Sequence, residues 1–292
     1  MLIERFIQYL QFEKRFSPHT VTAYQKDLDQ FSEFLIQIEM DYINSSHTHI
    51  RSWVVELLDK GLEPKSINRK VSCVRSFYKF LQREQLIQKN PMLLVRAPKI
   101  PKRLPSIIEE QKLNSLLDKK DIFDANFGGV RDKLVIELLY GTGIRLSELV
   151  NLKVTDINIY EQHIKVLGKR NKERIIPTNN SLLLLIQQYI VAKNEVFINN
   201  ISPMLIVKDN GEDVYPKFIY RIVKSYLSLI SHSKTSPHIL RHTFATSLLN
   251  HGADLNAIKD LLGHASLAAT QVYTTNSVER LKSVYKLAHP KA

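Results

Sequence analysis

The sequence predicts a mainly α-helical fold divided into two domains. Three observations indicate this: apolar residues recur at helical spacing through the first hundred positions, a proline-rich basic segment interrupts the pattern near residue 100, and strand signals are confined to one stretch beyond it. We expect an α-helical domain over residues 1–96, a basic linker over 97–106, and a mixed α/β domain, mostly helical with a small antiparallel sheet, over 107–292. The length of 292 residues also favours two domains, since one domain typically takes about 150.

The N-terminal domain begins with a clear helix signal. Ser17 precedes Pro18, the arrangement of an N-cap followed by proline at the first helical position. The apolar face of the helix that begins at Pro18 is predicted to consist of Val21, Tyr24, Leu28, Phe31 and Leu35. A second helix is predicted over Ile50 to Leu58.

A further helix, after Pro64, has two contrasting faces. Its apolar face is predicted to carry Ile67, Val71, Val74, Tyr78 and Leu81, and its polar face Lys65, Arg69, Ser72 and Lys79. Lysine and arginine on such a face can reach DNA phosphates, while smaller polar groups lie near base edges. A charged face exposed only to solvent is an equally good reading of this helix alone.

The second domain mixes helix and strand signals. Helical periodicity over Leu134 to Leu139 breaks at Gly141-Thr142-Gly143 and resumes from Arg145. Two strands, His163 to Leu167 and Glu173 to Pro177, flank the polar turn 168–172. A helix near Ser181 to Lys193 follows, then a stretch without a clear pattern over 199–215 and a terminal cluster of helices.

Charge indicates the class of partner. With 41 Lys and Arg against 29 Asp and Glu, the formal net charge is +12, and such an excess favours polyanions because each neutralised phosphate releases counterions. Cys73 is the only cysteine, so no intrachain disulfide can form. No run approaches the ~20 apolar residues of a membrane span, and the N-terminus lacks the features of a signal peptide. We therefore expect a cytoplasmic protein that binds nucleic acid and no membrane.

Two histidines and an arginine lie at the start of a predicted helix near residue 237. Ser236 as the cap and Pro237 at the first helical position mark the helix start, and they place His238 in the first turn, where backbone N–H groups favour an anion. Arg241 follows one turn later. This arrangement is typical of a phosphate site. His238 and His242 at i,i+4 spacing would also suit zinc, but the glutamate of the zinc-protease motif is absent and no cysteine or acidic cluster lies nearby.

Other candidate groups are individually weak. Arg145 follows the turn Gly141-Thr142-Gly143, and Glu148 lies three residues later, where it can orient the guanidinium or form an ordinary surface ion pair. Lys169 is at the tip of the predicted hairpin, where an exposed lysine needs no function. Tyr273 follows a short helical run beginning at Ser266, and by default it would be a packing residue.

Taken together, four ordered segments resemble those of the tyrosine recombinase (phage integrase) family, in its XerC and XerD chromosome-resolution branch and most like XerC. They are Gly141 to Val150, Gly168 to Arg174, Ser236 to Thr246 and Leu261 to Thr274. The helical N-terminal region and the linker fit the same plan. The resemblance implies a SAM-like N-terminal domain that binds core DNA and a catalytic domain of the recombinase type.

The resemblance also implies residue roles. Arg145 and Arg241 would hold the scissile phosphate, with Glu148 as the supporting acid. Lys169 would donate a proton to the leaving 5′ oxygen, His238 would assist proton handling, His264 would bond a phosphate oxygen, and Tyr273 would attack. Arg170 stands where relatives often have glycine, and it could add a DNA contact. No metal and no cofactor are expected, because two guanidiniums can meet the charge that develops on the phosphodiester.

Further expectations concern partners. The resemblance implies double-stranded DNA carrying a dimer-resolution-type site, a paralogous XerD-like recombinase in a cyclic heterotetramer, and a DNA-translocase activator of the FtsK type. A mobile-element integrase and an architectural DNA-binding protein with idle catalytic groups are the rival interpretations. In the tail, Val278, Leu281 and Tyr285 share one helical face, which is expected to dock on a neighbouring subunit or, alternatively, to pack on its own domain.

Overall fold

The computed structural model describes residues 2–100, 107–119, 121–168, 173–198, 202–231, 235–263 and 275–289. Its internal contacts divide the chain into two compact units, Met1–Arg103 and Leu104–Ala292. The boundary falls within the segment that the sequence indicates as a linker. Within the described ranges, no helix combines the length and the apolar character needed to cross a membrane.

The first unit is helical throughout its described part, with a single hydrophobic core. Ser17 accepts a hydrogen bond from the Thr20 backbone N–H at 3.3 Å, so the predicted N-cap is confirmed. The ring centroids of Phe31 and Trp53, both buried in this core, lie 4.8 Å apart. The α-helices are α1 (Leu2–Gln8), α2 (Pro18–Gln37), α3 (His47–Asp59) and α4 (Pro64–Arg83).

Helix α4 has the two faces that the sequence predicts. Each of the five predicted apolar positions is fully buried, namely Ile67, Val71, Val74, Tyr78 and Leu81. Lys65, Arg69 and Lys79 are exposed on the other side. Arg69 nevertheless forms an ion pair with the buried Asp27, whose second oxygen accepts a bond from Lys70 at 2.9 Å. Part of the charge of Arg69 is therefore already compensated within the unit.

The second unit packs most of its helices around a larger hydrophobic core. Its helices and strands are α5 (Glu110–Asp118), α6 (Phe127–Thr142), α7 (Leu146–Val150), β1 (Ile157–Asn158), β2 (His163–Leu167), β3 (Glu173–Pro177), α8 (Asn180–Val196), α9 (Pro216–Leu227), α10 (Pro237–Asn250), α11 (Leu255–Leu262) and α12 (Thr275–Ala288). The mainly helical fold with a small sheet is as predicted. The boundaries of α3, α6 and α8 extend beyond the predicted ones, because core packing stabilises turns whose sequence signal is weak.

The sheet is antiparallel in the order β1-β2-β3. Strands β2 and β3 have the predicted bounds and pair in the register His163 with Pro177 through Leu167 with Glu173. The two-residue strand β1 was not predicted, since two residues cannot show the alternation by which a strand is recognised.

Helix α6 ends two residues later than the sequence break at Gly141 suggests, at Thr142, with Gly143 as its C-cap at φ +60°. This left-handed conformation favours glycine, and space requires glycine as well. A Cβ at position 143 would lie 2.4 Å from Cδ1 of Phe244 on α10. The turn that leads to Arg145 is therefore packed directly against the helix that carries Arg241.

The tail helix α12 packs on its own unit. Leu281 and Tyr285 are buried in the core of this unit, and the Tyr285 hydroxyl donates to the Gly141 carbonyl at 2.8 Å. His289 contacts the same carbonyl at 3.0 Å. The expectation that this face docks on a neighbouring subunit is thus wrong for Leu281 and Tyr285, because the core of the same unit buries both side chains and Gly141 of α6 supplies the hydrogen-bond acceptor of Tyr285.

Candidate active site

Three arginines from different parts of the second unit converge on the C-terminal end of α11. Arg174 Nε donates to the Leu261 carbonyl at 2.9 Å, Arg241 Nη2 donates to the Leu262 carbonyl, and Arg145 Nη2 donates to the Gly263 carbonyl at 2.7 Å. The last carbonyls of a helix lack intrahelical partners and carry a partial negative charge. The end of α11 therefore gathers three guanidiniums at three consecutive residues.

Arg145 is oriented by Glu148, as the sequence suggested for this pair. Arg145 is the N-cap of α7, and its backbone N–H donates to Glu148 Oε2 at 2.7 Å. Its Nη1 donates to Glu148 Oε1 at 2.8 Å. Since the Glu148 side chain is only 3% exposed and that of Arg145 is 31% exposed, this is a part-buried pair and not the fully exposed ion pair that the spacing alone also allowed.

The sequence reasoning missed Arg174, which lies on β3. Its side chain is buried, and its Nη1 and Nη2 donate to the two oxygens of Glu148 at 2.7 and 2.8 Å. The alternation of β3 does carry a signal, because Arg174 occupies an inward-facing position between exposed Glu173 and half-buried Ile175. A charged residue at such a position needs a buried partner.

The site carries an excess of positive charge. Three guanidiniums, those of Arg145, Arg174 and Arg241, surround the one carboxylate of Glu148 and leave two positive charges uncompensated within this group. Burial and the neighbouring charges of Arg145 and Arg174 lower the pKa of the Arg241 guanidinium to about 10. Burial raises the pKa of Glu148, but the bonds and charges of Arg174 and Arg145 outweigh it and lower this pKa to about 2. Such a group favours an anionic ligand.

Arg241 links two of the converging segments. Its guanidinium donates to the carbonyl of Gly143 in the turn before Arg145 as well as to Leu262. Pro237 occupies the first turn of α10 as predicted, and His238 beside it is exposed. Ser236 adopts the extended conformation of an N-cap, but its side chain makes no capping hydrogen bond, so that part of the prediction is wrong.

The structure thus brings together Arg145, Glu148 and Arg241 from the predicted set and places His238 one helical turn before Arg241. Lys65, Arg69 and Lys79 belong to the first unit. The remaining predicted positions lie outside the described residues, and they are Lys169, Arg170, His264 and Tyr273, together with the predicted helical run from Leu267 to Val272 and its cap Ser266.

Comparison with known families gives two matches. The Phage integrase family model matches residues 106–280, and the model of the phage integrase N-terminal SAM-like domain matches residues 3–85. The tyrosine recombinase XerD of Staphylococcus haemolyticus is 34% identical over 294 residues, which cover 100% of this chain and 99% of the relative. The tyrosine recombinase XerC of Chlorobaculum parvum is 36% identical over 317 residues, covering 99% and 94%.

A solved structure shows the same fold. It is the crystal structure of the XerH site-specific recombinase bound to palindromic difH substrate in a post-cleavage complex, and it matches with a TM-score of 0.71 at 20% sequence identity over 91% of this chain and 79% of that chain. The two family models together span most of the sequence, and the relatives are aligned end to end. The chain therefore belongs to the phage integrase family and is a tyrosine recombinase, a member of a class of enzymes that cut and rejoin DNA.

Proposed function

We infer that this recombinase breaks one DNA strand at a specific site through attack by Tyr273, forming a 3′-phosphotyrosyl bond, and that Arg145 and Arg241 hold the scissile phosphate. The observation that supports this most strongly is the placement of these two arginines on the adjacent carbonyls of Gly263 and Leu262. That placement gives the site two forked cations at one point, as a phosphodiester with two non-bridging oxygens requires.

Both arginines keep donors for a substrate. Their bonds within the described part of the chain involve one N–H each from Nη1 and Nη2, which is two of the five N–H donors of a guanidinium. As the phosphorus becomes pentacoordinate, negative charge grows on the non-bridging oxygens. Donors and charges already in place at that point stabilise the transition state more than the ground state.

The proton balance follows from the same assignment. The Tyr273 oxygen forms a bond to phosphorus and loses its proton, with exposed His238 as the proposed acceptor. The bond from phosphorus to the 5′ oxygen breaks, and Lys169 supplies the proton that this oxygen takes up. His264 donates a hydrogen bond to a phosphate oxygen. The phosphotyrosyl bond conserves the energy of the broken ester, so the reverse attack by a 5′ hydroxyl rejoins the strand without ATP.

DNA binding is proposed for both units. Exposed Lys65 and Lys79 on α4 supply cations for backbone phosphates in the first unit, and Arg69 contributes less because it pairs with Asp27. Arg170, beside Lys169, is a candidate contact in the second unit. The net charge of +12 favours such binding and makes it dependent on salt.

The biological role that we propose is resolution of chromosome dimers at cell division, in the cytoplasm, together with a paralogous recombinase and a DNA translocase of the FtsK type. Relatives named XerD and XerC are both similar to this chain over its full length, which supports a role within that pair. In a recombination assay on a plasmid with two dimer-resolution sites, we expect product only when a second recombinase from the same genome is added. Efficient product with this protein alone would favour a mobile-element role.

A suicide substrate tests the chemistry. A nick placed near the cleavage site lets the short cleaved fragment diffuse away, so the covalent complex accumulates. We expect a covalent protein–DNA band with the wild type and none with Tyr273→Phe. An undiminished band from the phenylalanine variant would contradict the assignment of the nucleophile.

A further inference from the structure

Arg174 forms hydrogen bonds inside the protein with all three of its guanidinium nitrogens. The two Nη atoms donate to the two carboxylate oxygens of Glu148 at 2.7 and 2.8 Å, and Nε donates to the Leu261 carbonyl at 2.9 Å. Its side chain is 4% exposed. A side chain so enclosed is not placed to touch DNA, and its influence must pass through the groups that it binds.

Glu148 in turn is fully engaged by two arginines. Oε1 accepts from Arg145 Nη1 and Arg174 Nη1, while Oε2 accepts from the Arg145 backbone N–H and Arg174 Nη2. The carboxylate therefore divides its charge between the two guanidiniums. Without Arg174, this charge would fall on Arg145 alone and weaken its attraction for a phosphate.

The close approach of Arg174 to the end of α11 is built into the backbone. Gly263 has φ +62°, and a Cβ there would lie 3.1 Å from Arg174 Cδ and 3.3 Å from its Nη1. A glycine at this position serves both the left-handed conformation and the contact with the arginine. Arg174 thus packs directly against Gly263, the residue to whose carbonyl Arg145 bonds.

We propose that Arg174 is a positioning residue for strand cleavage: by sharing the Glu148 carboxylate, it holds Arg145 in the geometry, and leaves it the uncompensated positive charge, that binding of the scissile phosphate requires. The proposal rests on the cleavage chemistry proposed above. Arg174 also bonds β3 to the end of α11 through the Leu261 carbonyl.

The test compares Arg174→Gln and Arg174→Lys with the wild type on the suicide substrate, at saturating DNA and over a range of pH. We expect the cleavage rate to fall about 10- to 100-fold, as for loss of a residue that orients a catalytic group, with DNA affinity unchanged. Lysine keeps the charge but cannot make the two-pronged bond, so it should rescue only partly. The pKa of Glu148 should rise in Arg174→Gln, which would add a loss of cleavage at acidic pH that the wild type lacks.

A double variant tests the route of the effect. If Arg174 acts through Glu148, cleavage by Arg174→Gln combined with Glu148→Gln should be no slower than by the slower single variant. Lys165→Met is the matched control, since it removes an exposed ion pair with Glu173 on the same hairpin, and it should cleave at the wild-type rate.

The outcomes are distinct. Four results would each overturn the positioning role while leaving the recombinase chemistry intact. The first two are wild-type cleavage rates and pH profiles in the Arg174 variants, and weakened DNA binding with normal cleavage at saturation. The other two are losses of cleavage that match the unfolded fraction in thermal melts, and losses that multiply in the double variant. A wild type that forms no covalent adduct would overturn both proposals.

Discussion

Arg145 and Arg241 donate hydrogen bonds to the carbonyls of consecutive residues, Gly263 and Leu262, although they lie on different elements of the fold. Arg241 also donates to the carbonyl of Gly143, two residues before Arg145. These backbone carbonyls therefore hold the two guanidiniums in fixed positions relative to each other before DNA binds. Groups that need no reorganisation during the reaction contribute most to electrostatic catalysis.

Replacing Arg241 by lysine tests whether the fixed position of its guanidinium matters for cleavage. Lysine retains a positive charge but cannot reach both Gly143 and Leu262, and it presents a single ammonium to the phosphate. We expect a fall of at least about 100-fold in single-turnover cleavage, with little change in affinity for the DNA site. Arg221→Lys, at an exposed position on α9, is the control and should cleave normally. Equal rates for the two variants would contradict the role of Arg241.

Glu148 should make stability depend on pH in the acid range. Its pKa falls from 4.5 in the unfolded chain to about 2 in the folded protein. A depressed pKa means that its contribution is present above pH 4.5 and is lost as the pH falls towards 2. Glu148→Gln should cost about 3 kcal/mol in urea unfolding at pH 7, because it leaves a buried arginine unpaired.

The same comparison at lower pH provides the internal check. The difference in the free energy of unfolding between the wild type and Glu148→Gln should shrink between pH 4.5 and pH 3. Glu173→Gln, at an exposed ion pair, should unfold like the wild type at each pH. A difference that stays constant with pH would contradict the assigned titration.

Gly143→Ala should destabilise the second unit more than Gly252→Ala. Both glycines have positive φ, +60° and +83°, so alanine strains the backbone at each by about 1–2 kcal/mol. Only position 143 adds a steric conflict, since its Cβ would lie 2.4 Å from Phe244, whereas nothing lies within 4 Å at position 252. We expect chemical denaturation to show an additional loss of about 1–3 kcal/mol for Gly143→Ala. Equal losses would mean that Phe244 moves aside freely.

Salt dependence tests the DNA contacts of the first unit. Lys65→Ala and Lys79→Ala should each weaken binding and reduce the slope of log affinity against log salt by about one. Arg69→Ala should reduce the slope less, because Asp27 already compensates part of its charge. Lys60→Ala is the control, because Lys60 is already paired with Glu56, and it should leave the slope close to that of the wild type. Slopes that do not change for Lys65 and Lys79 would remove α4 from the DNA-binding surface.

The sequence was most informative where structure is local. The apolar stripe of α4, the N-cap at Ser17 and the pairing of β2 with β3 all depend on neighbouring residues, and all are as predicted. The predicted capping bond of Ser236 is absent, even though the residue occupies the N-cap position in the extended conformation.

Long-range relationships were less accessible. The ion pair of Arg69 with Asp27 and the bonds of Arg174 to Glu148 and Leu261 join residues that no local period connects. The motifs predicted that Arg145, Glu148 and Arg241 belong together, but not that a third arginine completes the group. The packing of Tyr285 against its own unit likewise depends on the Gly141 carbonyl, which only the folded chain brings near.

The most direct measurement of the central proposal is to map the covalent DNA adduct by mass spectrometry after proteolysis of the suicide-substrate complex. We expect a single modified peptide in which Tyr273 carries the 3′ phosphate of the cleaved strand, with a free 5′ hydroxyl on the released fragment. A phosphate bond to any other residue, or a 5′ phosphate linkage at Tyr273, would contradict it.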